Sequence, residues 1–231
     1  MYGKWAHGTF SIVACDPDRR FWGVAVSTKP ASVGAVVPWA EWRVGAIATQ
    51  AMSNYYYGPE GLALLRKGLP AEEVVRRLTR ADTQRDHRQL AVLDRWGRAA
   101  AWTGSKCIEQ ALHQIGEGYS VQGNMLAASS VVPSMAKAFE AARGNFGSRL
   151  LRALKAGAAE GGDKRGIESS AMLVVHREPW FRKAWSDHWI DLRVDRHARP
   201  IAELERLVRA DDSEYRRFLA QRAAARRRRK S

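Results

Sequence analysis

The feature that most restricts the fold of this chain is the order in which its two apolar periodicities arrive. Residues 9–15 (TFSIVAC) and 21–28 (FWGVAVST) are rich in β-branched and aromatic side chains and flank the turn-forming DPDRR, which predicts a β-hairpin. Residues 31–40 and 43–49 predict two more short strands around WAEW. The period then changes. A helix is expected over 59–65, opened by Pro59 and Glu60 and closed by Gly68, and a second over 70–78, opened by Pro70, Glu72 and Glu73. A second hairpin follows over 89–94 and 98–102, where Gly97 supplies the positive φ of a tight turn. A strand from Tyr119 leads to helices over 131–142 and 147–159, the latter stopped by Gly161 and Gly162. Strands over 169–176 and 188–195 precede helices over 200–208 and from Asp211 onward.

Strands that come in hairpins and helices that come in pairs do not make a doubly wound parallel sheet, which needs strict alternation. A layered α+β fold remains. Each helix pair carries one apolar stripe, and strands such as RVGAIATQ and SAMLVV are apolar enough to be covered on both faces. Two sheets stacked between helical layers, a four-layer αββα sandwich, satisfy both facts. One domain is expected over 9–210, with 211–231 as a basic C-terminal helix or tail.

With 231 residues, 45% of them apolar, the chain can bury a full-size core. No run approaches the roughly 20 apolar residues of a membrane span, and MYGKWAHG lacks the layout of a secretion signal, so a cytoplasmic protein without a transmembrane segment is expected. The net charge of +14 is unevenly placed. After Glu214 come Arg216, Arg217, Arg222, Arg226, Arg227, Arg228, Arg229 and Lys230 with no acid among them, a solvated tail or a contact for nucleic acid or an anionic surface. Cys15 and Cys107 are too few for a disulfide framework, and the six histidines show no metal-ligand spacing. GxSxG, GxGxxG and Walker sequences are absent from the chain. No metal or organic cofactor is implied. Trp39, Trp42 and Tyr55, Tyr56 and Tyr57 are expected to be exposed and to support a homodimer or higher homo-oligomer.

The first hairpin carries the chemistry. A five-residue loop over 16–20 pairs Cys15 with Phe21 and Thr9 with Ser27, placing Thr9, Ser27 and Lys29 on one face. Threonine is a weak nucleophile unless a base takes its proton, and its own free α-amine is one such base. That amine's ordinary pKa of about 7.7 to 8.0 suits neutral pH, and a nearby Lys29 charge would lower it. Thr9 stands behind Gly8, so the chemistry requires residues 1–8 to be removed as a propeptide by cutting Gly8–Thr9.

The segments TFSIVACD, GVAVSTK, VGAVVPWA, ATQA, YGPEGLALL, RQLAVLD, GYSVQGNML, GGDKRG, SSAMLVV and WIDLRVD occur in that order, and through them the chain resembles the domain-of-unknown-function 1028 family. The resemblance implies membership of the N-terminal-nucleophile hydrolases, the proteasome-β-like superfamily with an αββα fold and frequent Gly-Thr cleavage points. It further implies Lys29 as an active-site side chain on strand two, with Thr49, Gln50 and Ala51 ending a strand where backbone N–H groups form an oxyanion hole. Asn54 opens the aromatic segment that follows, within substrate reach. By the same resemblance Ser120, Gln122, Gly123 and Asn124 lie beside the nucleophile, and Asp163 with Lys164, Arg165, Gly166 and Ser170 buttress the terminal amine. The expected function is an amidohydrolase acting on a small-molecule or peptide amide. Two alternatives stay open, a non-catalytic ligand-binding module on an unprocessed scaffold and a polyanion-binding adaptor working through the arginine tail. The loops SNYYYGPE and REPWFRKAWSD would shape the substrate pocket.

Overall fold

The computed structural model describes residues 8–16, 18, 20–177 and 187–228. Most of the expected propeptide, of the REPWFRKAWSD loop and of the side chains of the arginine tail therefore lies outside the described residues. Ten strands and five α-helices are placed: β1 (Thr9–Asp16), β2 (Phe21–Thr28), β3 (Pro38–Glu41), β4 (Gly45–Ala51), α1 (Tyr57–Arg66), α2 (Ala71–Ala81), β5 (Arg88–Asp94), β6 (Ala99–Thr103), β7 (Leu112–Gly116), β8 (Tyr119–Asn124), α3 (Val131–Ala141), α4 (Phe146–Ala159), β9 (Ser169–Val175), β10 (His188–Val194) and α5 (Pro200–Arg228). The strands form two antiparallel sheets, ordered β10-β9-β2-β1-β8-β7 and β3-β4-β5-β6. The fold is α+β.

Three apolar clusters show how the parts pack. Phe10, Ile12 and Ala14 of β1 point to one side and meet Met135, Phe139, Leu150 and Leu154 of α3 and α4 with Leu204 of α5. Val13, Trp22, Val24 and Val26 point to the other side and meet Ala46, Ala48, Ala91 and Leu93 of the second sheet. Ile47, Leu90 and Val92 of that sheet pack outward on Leu62, Leu65, Val74 and Leu78 of α1 and α2. Strand alternation thus gives each sheet one face to its neighbour and one to helices. Buried on both faces, β1, β2, β4, β5 and β9 read as nearly continuous apolar runs.

Several expectations change. The first hairpin connection spans four residues, 17–20, not five, so Thr9 pairs with Thr28 and Phe10 with Ser27. That one-residue slip moves Ser27 to the helical side and puts Thr28 beside Thr9. The expected strand over 31–40 is a 3₁₀ turn, Val33–Ala35, followed by the short β3, because Ser32 turns the chain at φ 61° and Pro38, which donates no N–H, suits a first position on an edge strand. Strand β7, LHQIG, was not foreseen; it is a half-exposed edge with no clear alternation. The two terminal helices are one, since nothing between Val208 and Asp211 breaks α5, and the Asp212 carboxylate accepts a bond from the Asn145 side chain. Of the aromatics expected outside, Tyr57 is buried and Trp39 packs half-buried against Gly58, while Tyr55 and Tyr56 are exposed.

Phe10 is fully buried, and its ring would come within 2.7 Å of a Cβ on Gly162 and 3.1 Å of one on Gly157, so it packs β1 against α4 and the turn after it. Phe10→Ala is expected to lower unfolding free energy by about 3–5 kcal/mol, read from the urea midpoint at unchanged slope.

Candidate functional site

Antiparallel pairing gathers polar residues at one end of the two facing sheets. Thr9 begins β1 and lies between Thr28, the end of β2, and Asn124, the end of β8; Ser169 begins β9 beside Thr28. Across from them, Gln50 near the end of β4 pairs with Gln89, which pairs with Thr103 at the end of β6. An end where strands stop is also where loops can contribute, and the GGDKRG turn does so. It follows α4 through two glycines at φ 99° and 56°, and places Asp163 next to Leu126 in an isolated bridge.

Asp163 is wholly buried. Its Oδ1 accepts from the Arg165 backbone N–H and Nε, both at 3.0 Å, and its Oδ2 accepts from Arg165 Nη2 at 2.7 Å and from the Lys29 backbone N–H at 3.0 Å. Arg165 Nη2 also donates to the Gly8 carbonyl at 3.2 Å. The Thr28 hydroxyl donates to that same carbonyl, lies 3.5 Å from Asp163 Oδ2, and accepts from the Thr9 hydroxyl at 3.2 Å. One hydroxyl thus sits between Thr9, the peptide bond before it and a buried carboxylate. Gly8 has no room for a side chain: a Cβ would come within 2.7 Å of Asp163 Oδ1 and 2.9 Å of the Met125 Cβ.

Behind Thr9 a network of side-chain amides joins the sheets. The Gln122 amide donates to Ser11 Oγ at 2.6 Å, and Ser11 donates to Gln50 Oε1 at 2.6 Å. Gln50 Nε2 donates to Gln89 Oε1 at 2.7 Å and to the Thr9 carbonyl at 3.4 Å. Gln89 Oε1 also accepts from Asn124 at 3.1 Å, and Gln89 Nε2 serves Thr103 Oγ1, the Leu112 carbonyl and the Gly123 carbonyl at 2.9, 3.1 and 2.9 Å. Ser120 completes the set by donating to Gln122 Oε1 at 2.9 Å. Such groups are tolerated inside because each has a partner, and a lost partner costs about 1–3 kcal/mol. Two non-glycine residues with positive φ, Ala51 at 66° and Met125 at 50°, follow Gln50 and Asn124 directly. Local strain thus flanks Thr9 on both sheets.

Of the residues the sequence proposes, Thr9, Gln50, Ala51, Gln122, Gly123, Asn124 and Asp163 gather at this end, and Ser120, which pairs with Val13 farther along β8, joins through Gln122. Others do not meet Thr9 through their side chains. Ser27 and Ser170 face the helical side and bond the Ser169 and Val26 carbonyls at 2.8 and 3.1 Å. Thr49 donates to the Asn54 carbonyl at 3.1 Å, and Asn54 donates to Asp82 at 3.1 Å. The Lys29 ammonium, 40% exposed, pairs with Glu168, whose carboxyl it holds below the ordinary range. Only the backbone of Lys29 bonds Asp163. The cation that touches the peptide bond is Arg165. Thr28, Ser11, Gln89 and Thr103 enter the cluster without having been foreseen, whereas Arg165 was named beside Asp163 from the resemblance. A four-residue hairpin connection would have identified Thr28, and Gln89 stands out as a lone amide before the apolar run LAVL.

Two depressions are notable on the described surface. One of about 520 Å³ is lined by Arg209, Asp212, Ser213, Arg217 and Ala220 of α5 alone, away from this cluster. The other, about 490 Å³, is lined from Thr103 to His113 beside it. Among the described residues no three His, Cys, Asp or Glu side chains gather as metal ligands, and no helix is long and apolar enough to cross a membrane.

A family model described as a family of unknown function, DUF1028, matches residues 9–204. The crystal structure of protein SPO2555 from Silicibacter pomeroyi, which bears the same family's name, is similar at 36% identity over 88% of each chain, with a TM-score of 0.78. No curated protein matches the chain.

Two substitutions probe the geometry. Asp163→Asn leaves the Arg165 guanidinium without its counter-charge and is expected to cost about 2–3 kcal/mol by urea unfolding, toward the low end for a broken pair because Arg165 reaches solvent. Gly8→Ala is expected to lower stability by about 1–3 kcal/mol in the same measurement, as its methyl forces Asp163 or Met125 to move.

Proposed function

We propose for this chain, which belongs to the DUF1028 family, that it is an N-terminal-nucleophile amidohydrolase acting through the Thr9 hydroxyl once the Gly8–Thr9 bond has been cut. The observation that carries this reading is the state of the Gly8 carbonyl. Two donors, the Thr28 hydroxyl and the Arg165 guanidinium, converge on its oxygen beside the Thr9 hydroxyl. Negative charge developing on that oxygen would meet donors already in place, and one such donor is worth about 3 kcal/mol in a transition state.

Thr9 Oγ1 attacks the Gly8 carbonyl carbon, and its proton moves to the Thr9 nitrogen as the carbon–nitrogen bond breaks. Residues 1–8 are left as an ester on Thr9. Water hydrolyses the ester, which releases that segment with a new carboxylate and leaves Thr9 with a free α-amine. In turnover the amine takes the hydroxyl proton, the oxygen attacks a small amide or peptide-like bond, the leaving amine receives the proton, and water clears the acyl ester. Backbone donors near Gln50 and Ala51 serve the substrate's oxyanion, and Arg165 rather than Lys29 supplies the neighbouring positive charge. Two facing sheets with outer helices support the αββα sandwich of that superfamily. The family match that starts at Thr9 agrees with that residue heading the mature chain.

Thr9 is only 2% exposed with Gly8 in place, and this favours a second reading in which the scaffold stays unprocessed and holds a ligand. Intact-mass measurement of the purified full chain during incubation separates the two. Loss of residues 1–8 is expected, abolished in Thr9→Ala and slowed about 100-fold in Thr28→Val. A wild-type chain that keeps its full mass throughout removes the hydrolase reading and leaves the unprocessed scaffold.

A further inference from the structure

The loop from Gly104 to Ala111, between β6 and β7, bounds a cleft of about 490 Å³ whose lining includes Thr103, Ser105, Cys107, Glu109 and His113. That volume lies within the range of small-molecule sites. The cleft is set at the same end of the sheets as Thr9. Leu112 of β7 pairs with Gly123 of β8, and the next residue, Asn124, pairs with Thr9 of β1, so the cleft wall stands two strand spacings, about 10 Å, from Thr9. The loop is also tied to the chain beside Gly8: the backbone N–H groups of Met125 and Leu126 donate to the Ile108 and Gln110 carbonyls at 3.0 and 3.2 Å.

The lining has a definite hydrogen-bond and charge character. Gln89 Nε2 donates to Thr103 Oγ1, and the same oxygen is 2.8 Å from His113 Nδ1, a hydrogen bond whose donor is set by the imidazole tautomer. Partial desolvation lowers the pKa of His113, so the imidazole is neutral at pH 7. Burial pushes the Cys107 thiol up to about 11, so it too is neutral, and it donates to the Arg88 carbonyl at 3.3 Å. The one formal charge among the lining side chains is the Glu109 carboxylate. In a chain with 38 lysines and arginines against 24 acids, a cleft lined by one carboxylate and neutral polar groups selects against anions.

We propose that this cleft is a binding site for a small organic cation that donates hydrogen bonds, an ammonium or amidinium compound, and that its occupancy reaches Thr9 through Gln89 and Gln50. The path is short. Thr103 in the cleft wall bonds Gln89, Gln89 bonds Gln50, and Gln50 bonds the Thr9 carbonyl. A ligand that donates to Thr103 Oγ1 competes with Gln89 Nε2 for that oxygen and so alters the first of these bonds. Neither the site nor the path requires Thr9 to be a nucleophile.

The test is a titration of the isotopically labelled full chain with benzamidine, benzamide and benzoate, followed by amide NMR. Benzamidine is expected to shift the backbone signals of Thr103, Gly104, Ser105 and His113 saturably, together with the side-chain amide signals of Gln89 and Gln50. Benzamide should bind more weakly and benzoate not at all. In Glu109→Gln, benzamidine affinity should fall about fivefold, the size expected of one exposed charge pair. Binding of benzoate as tight as that of benzamidine, an unchanged affinity in Glu109→Gln, or no saturable shift in the cleft would overturn the site. Saturation of the cleft signals without movement of the Gln50 amide would overturn the path to Thr9.

Discussion

A carboxylate with no contact to water holds this end of the molecule together. Asp163 binds Arg165 through three donors and the start of the segment after β2 through the Lys29 backbone. The desolvation cost of a buried charge is severe, and only a full set of donors offsets it. Those donors come from its own turn and from the segment after β2, and the carboxylate abuts the chain before β1, so the ion pair sets where these backbones sit relative to one another. The position of the Gly8 carbonyl follows, because Arg165 and Thr28 both reach it from groups that Asp163 orients.

The second constraint is the amide network between the sheets. Over most of their length the sheets face each other with alanine and valine, a contact with little preference for one register over another. At the Thr9 end the same interface is built from Ser11, Gln50, Gln89, Gln122 and Asn124, each bonded to a group on another strand. Directional bonds reject sliding where apolar contacts tolerate it, and a network satisfied throughout is stiffer than its pairs taken singly. Its outer members, Thr103 and the Leu112 carbonyl, reach the cleft beside β7, while its inner member reaches the Thr9 carbonyl. Nucleophile candidate, buried ion pair and open cleft therefore share one polar scaffold.

Much of the fold was legible in the chain itself. The hairpins around DPDRR and DRWG, the helix pairs and the late strand SSAMLVV all stand where period and turn residues put them. Strand β7 escaped because an edge strand with exposed polar residues lacks alternation, and α5 ran on because Asp211 and Ser213 are compatible with a helix interior as well as with its start. The site was legible in part. Thr9, Asp163, Gln122 and Asn124 were singled out, whereas Thr28 was hidden by a turn counted one residue too long, and the Lys29 side chain pairs with Glu168 while Arg165 bonds the Gly8 carbonyl.

The division has a physical cause. Period, turn residues and caps act within a few positions of one another, so the sequence by itself determined the kind of most elements and, through them, the α+β class, but neither the edge strand β7 nor the unbroken α5. Which side chains meet at the strand ends depended on register, where one residue more or less reverses every face, and on contacts such as Gly8 with Arg165 that span the length of the chain. Only the packed tertiary structure decided those.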